Sequence, residues 1–515
     1  MSDAACFIGI DLGTSTCKTL ALDAGGAVIA RATADYPLIT PRAGWAEQEP
    51  ELWWRAADET AAAVVQQLGG RPVAAIGLTG QMHGLVPLDA DDRVIRPAML
   101  WCDQRAAEHC DLLTDRLGGL DALLALSGNR MLPGFTGGKF LWLAEHEPEA
   151  FARMRRFLNP KDFLRLRMTG VHATDVSDAS GTGLFDVRRR RWSPELLAAV
   201  GLDETQVPEA RESHEVTGGL LPAIAARWGL PAGLPVVAGG GDSVMQTTSM
   251  GVVEEGLIGI TIGTAGIVGG AARRCPDNPG GRIQVSCGNA PDRWHVMGVA
   301  LSAGGAFQWL RETLEPVAAA GLDFAALARL AESAPAGADG LLFLPYLMGE
   351  RCPHVAPDGR AAFVGLTRGH RLEHMARAVM EGSLLNLRAI LDLFAAAGLP
   401  GDRLRASGGA TVSPLWLQLL ADVTGRPVAT VSGATEGGAF AAALLAGVGV
   451  GRWSGLDQAV REALGETGRT EPDPDRSQLY DRIHPIHESL YQTLRGTFAR
   501  IAAVAGSAGG GKALP

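Results

Sequence analysis

Asp11 and Asp242 are the two carboxylates whose surroundings most suggest chemistry. Asp242 follows the apolar run Pro235-Val236-Val237-Ala238 and the triplet Gly239-Gly240-Gly241, where the lack of Cβ atoms lets a ligand approach the backbone. A carboxylate at such a strand end can take the proton of a bound hydroxyl, and an aspartate there can equally cap the helix that begins near Val244. Asp11 ends the strand Phe7-Ile8-Gly9-Ile10 and opens the turn Leu12-Gly13-Thr14-Ser15. It can bind Mg²⁺ directly or through water, or simply shape the turn. The N–H groups and hydroxyls of Thr14 and Ser15 make a concave nest for phosphate oxygens. Lys18 stands beside it in a chain whose other lysines are Lys139, Lys161 and Lys512, so an ammonium at this turn is a marked choice.

Two further segments carry polar groups at strand ends. Ala75-Ile76-Gly77-Leu78 runs into Thr79-Gly80-Gln81-Met82-His83-Gly84, where His83 reads as either a structural or a functional ring. Trp101-Cys102-Asp103-Gln104-Arg105 sets an indole beside an acid and a base. That combination suits a polyol, and equally a surface salt bridge over a core tryptophan.

These residues need strands to position them. Phe7–Ile10, the turn, Thr19–Leu22 and then Ala27–Ala30 read as strand, turn, strand, strand. The pattern returns as Leu257–Ile262, Gly263-Thr264-Ala265-Gly266 and Ile267–Gly269, now without the acid. A period this long is no solenoid and implies two copies of one α/β domain, with a boundary near Met250 to Glu255. Leu372, Met375, Val379, Leu387 and Leu391 mark a core helix closed by Gly398 and Pro400. Another helix is expected with Ser413 as N-cap, Pro414 at its first position and Gly425 at its end, directly after Ala406-Ser407-Gly408-Gly409-Ala410. The expected division is residues 1–250, residues 251–500 and a flexible tail over 501–515.

Composition narrows the function classes. The chain has 515 residues, 47% hydrophobic and 20% charged, so it can build sizeable cores. With 46 Lys and Arg against 56 Asp and Glu, the net charge of −10 gives no general attraction to nucleic acid or an anionic membrane. The basic run Arg188–Arg191 is expected as a solvated turn or sheet edge. Seven irregularly spaced cysteines, without C-x-x-C, argue for a reducing cytoplasm rather than a disulfide framework. The N-terminus lacks the basic region of a signal peptide, and the uncharged stretches Leu257–Ala272 and Gly437–Gly451 are too short to span a bilayer. Gly506–Lys512 imitates a P-loop, but Ala513 follows where Ser or Thr is needed; G-x-G-x-x-G between a strand and a helix, and H-E-x-x-H, do not occur.

Taken together, the motifs resemble the FGGY family of carbohydrate kinases. The likeness spans about residues 6 to 495. It is carried by Ile8–Ser15, Gly44–Gln48, Gln81–Gly84, Gly134–His146, Gly240–Asp242, Pro345–Arg351, and the stretch from Ala361 through Gly365-Leu366 to Glu381. Gln81-Met82-His83-Gly84 is most similar to the members that act on xylulose. The resemblance implies two ribonuclease-H-like domains of the actin, hexokinase and Hsp70-like superfamily, an interdomain cleft, and transfer of phosphate from ATP, with Mg²⁺, to a sugar hydroxyl. For the xylulose-type members this makes D-xylulose 5-phosphate. It assigns Asp242 as base and Asp11 to the metal and phosphates. Thr14, Ser15 and Lys18 fall at the first phosphate turn, Gly263 and Thr264 at the second, and Gly408, Gly409, Ala410 and Ser413 at the adenosine. Met82, His83, Trp101, Asp103 and Asp242 fall at the sugar. Ser243 stands where the family usually has Asn or Gln, and Cys102 where a polar residue is common. Other readings are a chaperone-type or filament-type ATPase, a sugar-binding regulator, and an FGGY kinase for ribulose, gluconate or a polyol. The expected partners are the sugar and ATP, with neither nucleic acid nor membrane, and a homodimer is left open.

Overall fold

The computed structural model describes residues 5–317 and 321–508. Two seven-stranded sheets organise it. The first runs in the order Val216–Gly219, Pro235–Val237, Val73–Gly80, Cys6–Leu12, Thr16–Leu22, Val28–Asp35, with Gly240–Gly241 also paired to Val73–Gly80. The second runs Gln284–Cys287, Trp294–Ala300, Gly266–Ala272, Leu257–Ile262, Arg403–Ser407, Val428–Val431, Glu466–Thr470. The first contains three consecutive antiparallel strands and the second four; each then adds two parallel strands and an antiparallel edge. The hairpin repeated in the sequence is thus one part of a repeated sheet.

The central strand Cys6–Leu12 is an almost unbroken apolar run because both of its faces are covered. Ile8, Ile10 and Leu12 enter a core with Trp53, Ala57 and Val64 of the helix Pro50–Gln67. Phe7 points to the opposite face and packs with Ala439 to Ala446. Those last residues belong to the helix Gly438–Gly449, which follows the second sheet's strand Val428–Val431 in the chain yet lies on the first sheet. The approach is so close that a Cβ on Gly9 would sit 1.9 Å from Ala439 O, and one on Gly77 1.9 Å from Ala442 O. The helix Asp242–Ser249 makes the converse crossing. Its Thr247 Oγ1 bonds His295 Nε2 at 2.9 Å, and a Cβ on Gly269 would meet Thr247 Oγ1 at 2.6 Å.

Several local expectations change. The last helix, Pro474–Ala508, carries residues 501–508 as helix where a tail was expected, and 509–515 lie outside the described residues. Ser413 takes the N-cap position of Pro414–Thr424, but its side chain makes no capping bond. The run Arg188–Arg191 does span the turn of the hairpin Phe185–Asp186 and Arg191–Trp192, although Arg190 is not solvated. Its side chain pairs with Glu212 at 2.7 Å and donates to Arg293 O at 2.8 Å, which joins the two halves of the chain. All seven cysteines are free. Among the described residues, no helix is long and apolar enough to cross a membrane.

Candidate active site

The strand register brings the first-sheet candidates together. Asp11 pairs with Thr79, and Thr79 with Gly240; Leu12 pairs with Gly80, and Gly80 with Gly241. The carboxyl ends of three parallel strands therefore lie side by side, releasing Gly13-Thr14, Gln81-Met82-His83 and Asp242 along one edge. Such an edge is where open α/β sheets bind ligands.

Asp242 is the first residue of its helix, and the N-cap is Gly241. Its Oδ1 accepts the N–H of Ser243 at 2.7 Å, so it does not cap the helix in the usual manner. Burial, and then the charge of Asp11, raises its pKa to about 7. Asp11 is raised to about 6 by burial, opposed by Lys18 and by the N–H of Ala439. That N–H belongs to the first turn of Gly438–Gly449, and a Cβ on Gly438 would lie 2.9 Å from Asp11 Oδ2. A helix N-terminus thus faces the metal-candidate carboxylate.

The acceptor side is built around His83. Its φ of 69° is left-handed, and its carbonyl is clamped by Lys139 Nζ at 2.8 Å and Thr136 Oγ1 at 3.1 Å. Nδ1 lies 2.6 Å from Gly181 O, and a carbonyl can only accept, so Nδ1 carries the proton and Nε2 keeps its lone pair. The ring stacks on Phe135, and burial lowers its pKa to about 3, which leaves it neutral. Met82 is 5% exposed, with Ser243 Oγ donating to its Sδ at 3.2 Å. Met82, His83, Ser180, Ser243, Gln284 and His295 line a crevice of about 20 Å³ between the halves.

Trp101 and Asp103 part company. Trp101 is 41% exposed and donates Nε1–H to Thr14 Oγ1 at 2.9 Å, so it stands beside the first phosphate turn. Asp103 is 0% exposed. Its Oδ2 accepts from Ala46 N at 2.7 Å, and both of its oxygens bond Arg105. Buried and held by Ala46 N and Arg105, it is no surface salt bridge, and it fixes the loop that carries Trp101.

Lys18 also departs from expectation. Its ammonium lies 2.6 Å from Glu436 Oε2 and 3.0 Å from Glu436 O, which commits it to the opposite half rather than to an open phosphate turn.

Most of the residues expected at the nucleotide line a cavity of about 680 Å³, a size suited to a cofactor. Gly263, Thr264, Gly409, Ala410 and Ser413 all contribute to its wall. Gly408 supports it from behind: its φ is 92°, and a Cβ there would lie 2.5 Å from Ile262 O. Thr264 O accepts from Ala303 N at 2.9 Å and Gly305 N at 3.0 Å, which seats the helix Gly304–Leu314 on the second turn.

The N-terminal domain of the FGGY family of carbohydrate kinases matches residues 6–249, and its C-terminal domain matches residues 259–450. The chain belongs to the FGGY family. It is 39% identical over 489 residues to a xylulose kinase of Escherichia coli (strain K12), covering 95% of this chain and 99% of that one. It is 29% identical over 503 residues to a gluconokinase of Bacillus subtilis (strain 168), covering 96% and 97%. Among solved structures, a xyloylose kinase from Brucella ovis superposes with a TM-score of 0.90 at 34% identity, covering 96% of this chain and all of that one. A gluconate kinase from Lactobacillus acidophilus gives 0.91 at 27%, covering 96% and 99%. This FGGY protein is therefore a sugar phosphotransferase of the actin and hexokinase-like fold that uses ATP.

Sequence reading missed several parts of this kinase. Glu436 holds Lys18 and Ala439 N–H bonds Asp11, and the visible signal was the Gly437-Gly438 pair between a strand and an apolar helix. Phe307 and Phe324 line the cavity at Gly263 and Thr264, flagged only by Gly304-Gly305 after a strand. Lys161 lies fully buried among Asp162, Asp175 and Asp178 at 2.6, 2.9 and 3.3 Å. Asp175 caps the helix Val176–Gly181, whose Ser177 Oγ accepts the N–H of Gly241 at 3.0 Å. Three of the four lysines thus hold parts of the cleft, and Lys512 lies outside the described residues.

Proposed function

We propose that this kinase transfers the γ-phosphoryl group of ATP to a terminal hydroxyl of D-xylulose, giving D-xylulose 5-phosphate and ADP. Asp242 is the general base. The hydroxyl oxygen forms the new bond to phosphorus, its proton passes to the Asp242 carboxylate, and the bond from phosphorus to the ADP oxygen breaks. The carboxylate pair supports this most directly: Asp242 sits near pKa 7, where it is partly ionised at neutral pH and still basic enough to accept a proton. His83 Nε2, held as an acceptor, orients the sugar by receiving a hydroxyl proton in a hydrogen bond.

Asp11 suits Mg²⁺. A carboxylate at the end of the strand that opens the Gly13-Thr14 turn, with the Asp242 carboxylate near enough to feel its charge, matches the one or two carboxylates this ion takes beside substrate phosphates. When bound there, the ion offsets negative charge on the phosphates. Thr14, Ser15, Gly263 and Thr264 cradle the phosphates through N–H and hydroxyl groups, and the cavity around Gly409, Ala410 and Ser413 takes the adenosine. Residues 1–250 and 251–500 act as two bodies that close on both ligands before chemistry.

A coupled ADP-release assay over ketopentoses, polyols and aldonates tests the substrate. Asp242→Asn keeps the shape and removes the base, and kcat on D-xylulose should fall by ~10²–10⁴ with both ligands still bound. Near-normal turnover by that variant would sink the assignment.

A further inference from the structure

Two helices behind the acceptor side meet in a group of side chains that phosphoryl transfer does not use. His109 lies on the helix Ala107–Arg116, and Glu145 and His146 close the helix Thr136–His146. One ligand atom from each of the three lies within 4.8 Å of the other two. His109 is 6% exposed, and its Nε2 lies 2.9 Å from Glu145 Oε2. An ionised carboxylate only accepts, so Nε2 carries the proton and Nδ1 is left with its lone pair. That Nδ1 is buried and has no hydrogen-bond partner. An ion pair between the helices satisfies Glu145 and leaves this atom unpaired, so a salt bridge does not account for the whole ring.

His146 is held in the manner of a ligand. Its Nδ1 lies 3.1 Å from Trp142 O and donates there, so Nε2 keeps a lone pair. A backbone carbonyl that fixes the tautomer and the ring is the usual support of a metal-binding histidine. The Trp142 ring stacks on the imidazole at 4.8 Å between centroids and 6° between planes, which limits its tilt. The 2.9 Å between His109 and Glu145 is close to the ~3.3 Å that separates neighbouring ligands when bonds of ~2.0–2.1 Å form a tetrahedron. Glu145 is 65% exposed along its side chain, so its carboxylate can turn to complete the set. Two imidazoles and one carboxylate, with a fourth position open to water, suit Zn²⁺ and its first-row neighbours; Mg²⁺ takes oxygen donors instead.

We infer that His109, Glu145 and His146 bind one divalent transition-metal ion of the Zn²⁺ class, which staples the end of the helix Thr136–His146 to the helix Ala107–Arg116. The other end of the stapled helix holds the acceptor side, since Thr136 and Lys139 donate to His83 O. Trp142 also carries the Arg105 guanidinium 4.9 Å from its ring centroid, so the staple stands behind both the His83 turn and the Trp101 loop. The ion takes no part in phosphoryl transfer. Its site is separate from the carboxylate at Asp11, and it does not depend on which sugar is phosphorylated.

The test titrates ZnCl₂ into the full-length, chelator-treated protein by calorimetry in excess Mg²⁺, which fills carboxylate sites without competing for imidazole. Wild type should take up Zn²⁺ at this site with a stoichiometry of one per chain. His146→Gln and Glu145→Gln, both at exposed positions where folding is not at stake, should each weaken that binding about tenfold or more, since even an outer partner of a metal ligand is worth ~10–100-fold. His374→Gln, which breaks the other close pair of imidazoles, His370 and His374, should leave it unchanged. Saturating Zn²⁺ should raise the Tm of wild type by about 2–3 °C and that of His146→Gln by much less. No uptake by wild type, unchanged uptake in both His146→Gln and Glu145→Gln, or loss with His374→Gln would overturn the site. An equal thermal shift in wild type and His146→Gln would overturn the staple.

Discussion

Lys18 Nζ and Glu436 Oε2 meet at 2.6 Å across 418 positions of sequence. The bond joins the first phosphate hairpin to the loop that enters the helix Gly438–Gly449, so the residue beside the turn acts on Asp11 through its field rather than on phosphate by contact.

Removing that charge has a defined sign. Lys18 lowers the pKa of Asp11, which burial otherwise raises to about 6. In Lys18→Met the Asp11 pKa rises, and the acidic limb of kcat/KM moves to higher pH by ~1 unit. A pH profile that superposes on wild type would refute the coupling.

Asp242 links activity to stability. Its folded pKa, about 7, lies above the ordinary 3.8, so the folded protein binds a proton that the unfolded chain has lost. The stability from that proton is full below pH 4 and is lost as pH rises through 7. Asp242→Asn should therefore have a higher Tm than wild type at pH 8, with the gap shrinking as pH falls toward 5. Thermal scans at pH 5, 6, 7 and 8 check this; a constant gap would contradict the burial argument.

Gly181 leaves no room for a side chain beside His83. A Cβ there would lie 2.7 Å from His83 Nδ1 and 2.8 Å from Met82 Cε. Gly181→Ala should displace the ring and cost on the order of 10–100-fold in kcat/KM for the sugar, with ATP affinity little changed. Burial lowers the His83 pKa to about 3, so wild type should show no limb from this ring near pH 6.5. Steady-state kinetics with each substrate varied in turn would decide it.

The closure proposed above would pivot on a seam of hydrogen bonds. Asn129 Nδ2 donates to Val285 O at 2.7 Å, Val285 N to Asn129 Oδ1 at 2.8 Å, and Cys287 N to Ser180 Oγ at 3.0 Å. This seam ties the halves beside the acceptor crevice, and a closure that keeps it intact would draw the remaining faces of the cleft together. Small-angle scattering should show a smaller radius of gyration with D-xylulose and a non-hydrolysable ATP analogue than without ligands. An unchanged radius with both sites filled would exclude large domain movement.

Local chemistry made much of this protein legible from its residues alone. Apolar runs ending in Gly-rich turns located both hairpins, Asp11, the His83 turn and the strand leading to Asp242, because a strand end and its turn are set within about ten neighbouring residues. The repeat of the hairpin implied two related sheets for the same reason. What the chain order concealed was everything decided by packing between distant segments. Asp103 and Trp101 are two residues apart, yet one is sealed by Arg105 and Ala46 while the other faces the cleft, and only the folded surroundings separate them. Lys18 found its acid in Glu436, and the helix Gly438–Gly449 crossed to the first sheet because Gly9 and Gly77 open a path that no single segment reveals. Burial, the largest cause of the shifted pKa values of Asp11, Asp242 and His83, exists only once the chain has folded over them.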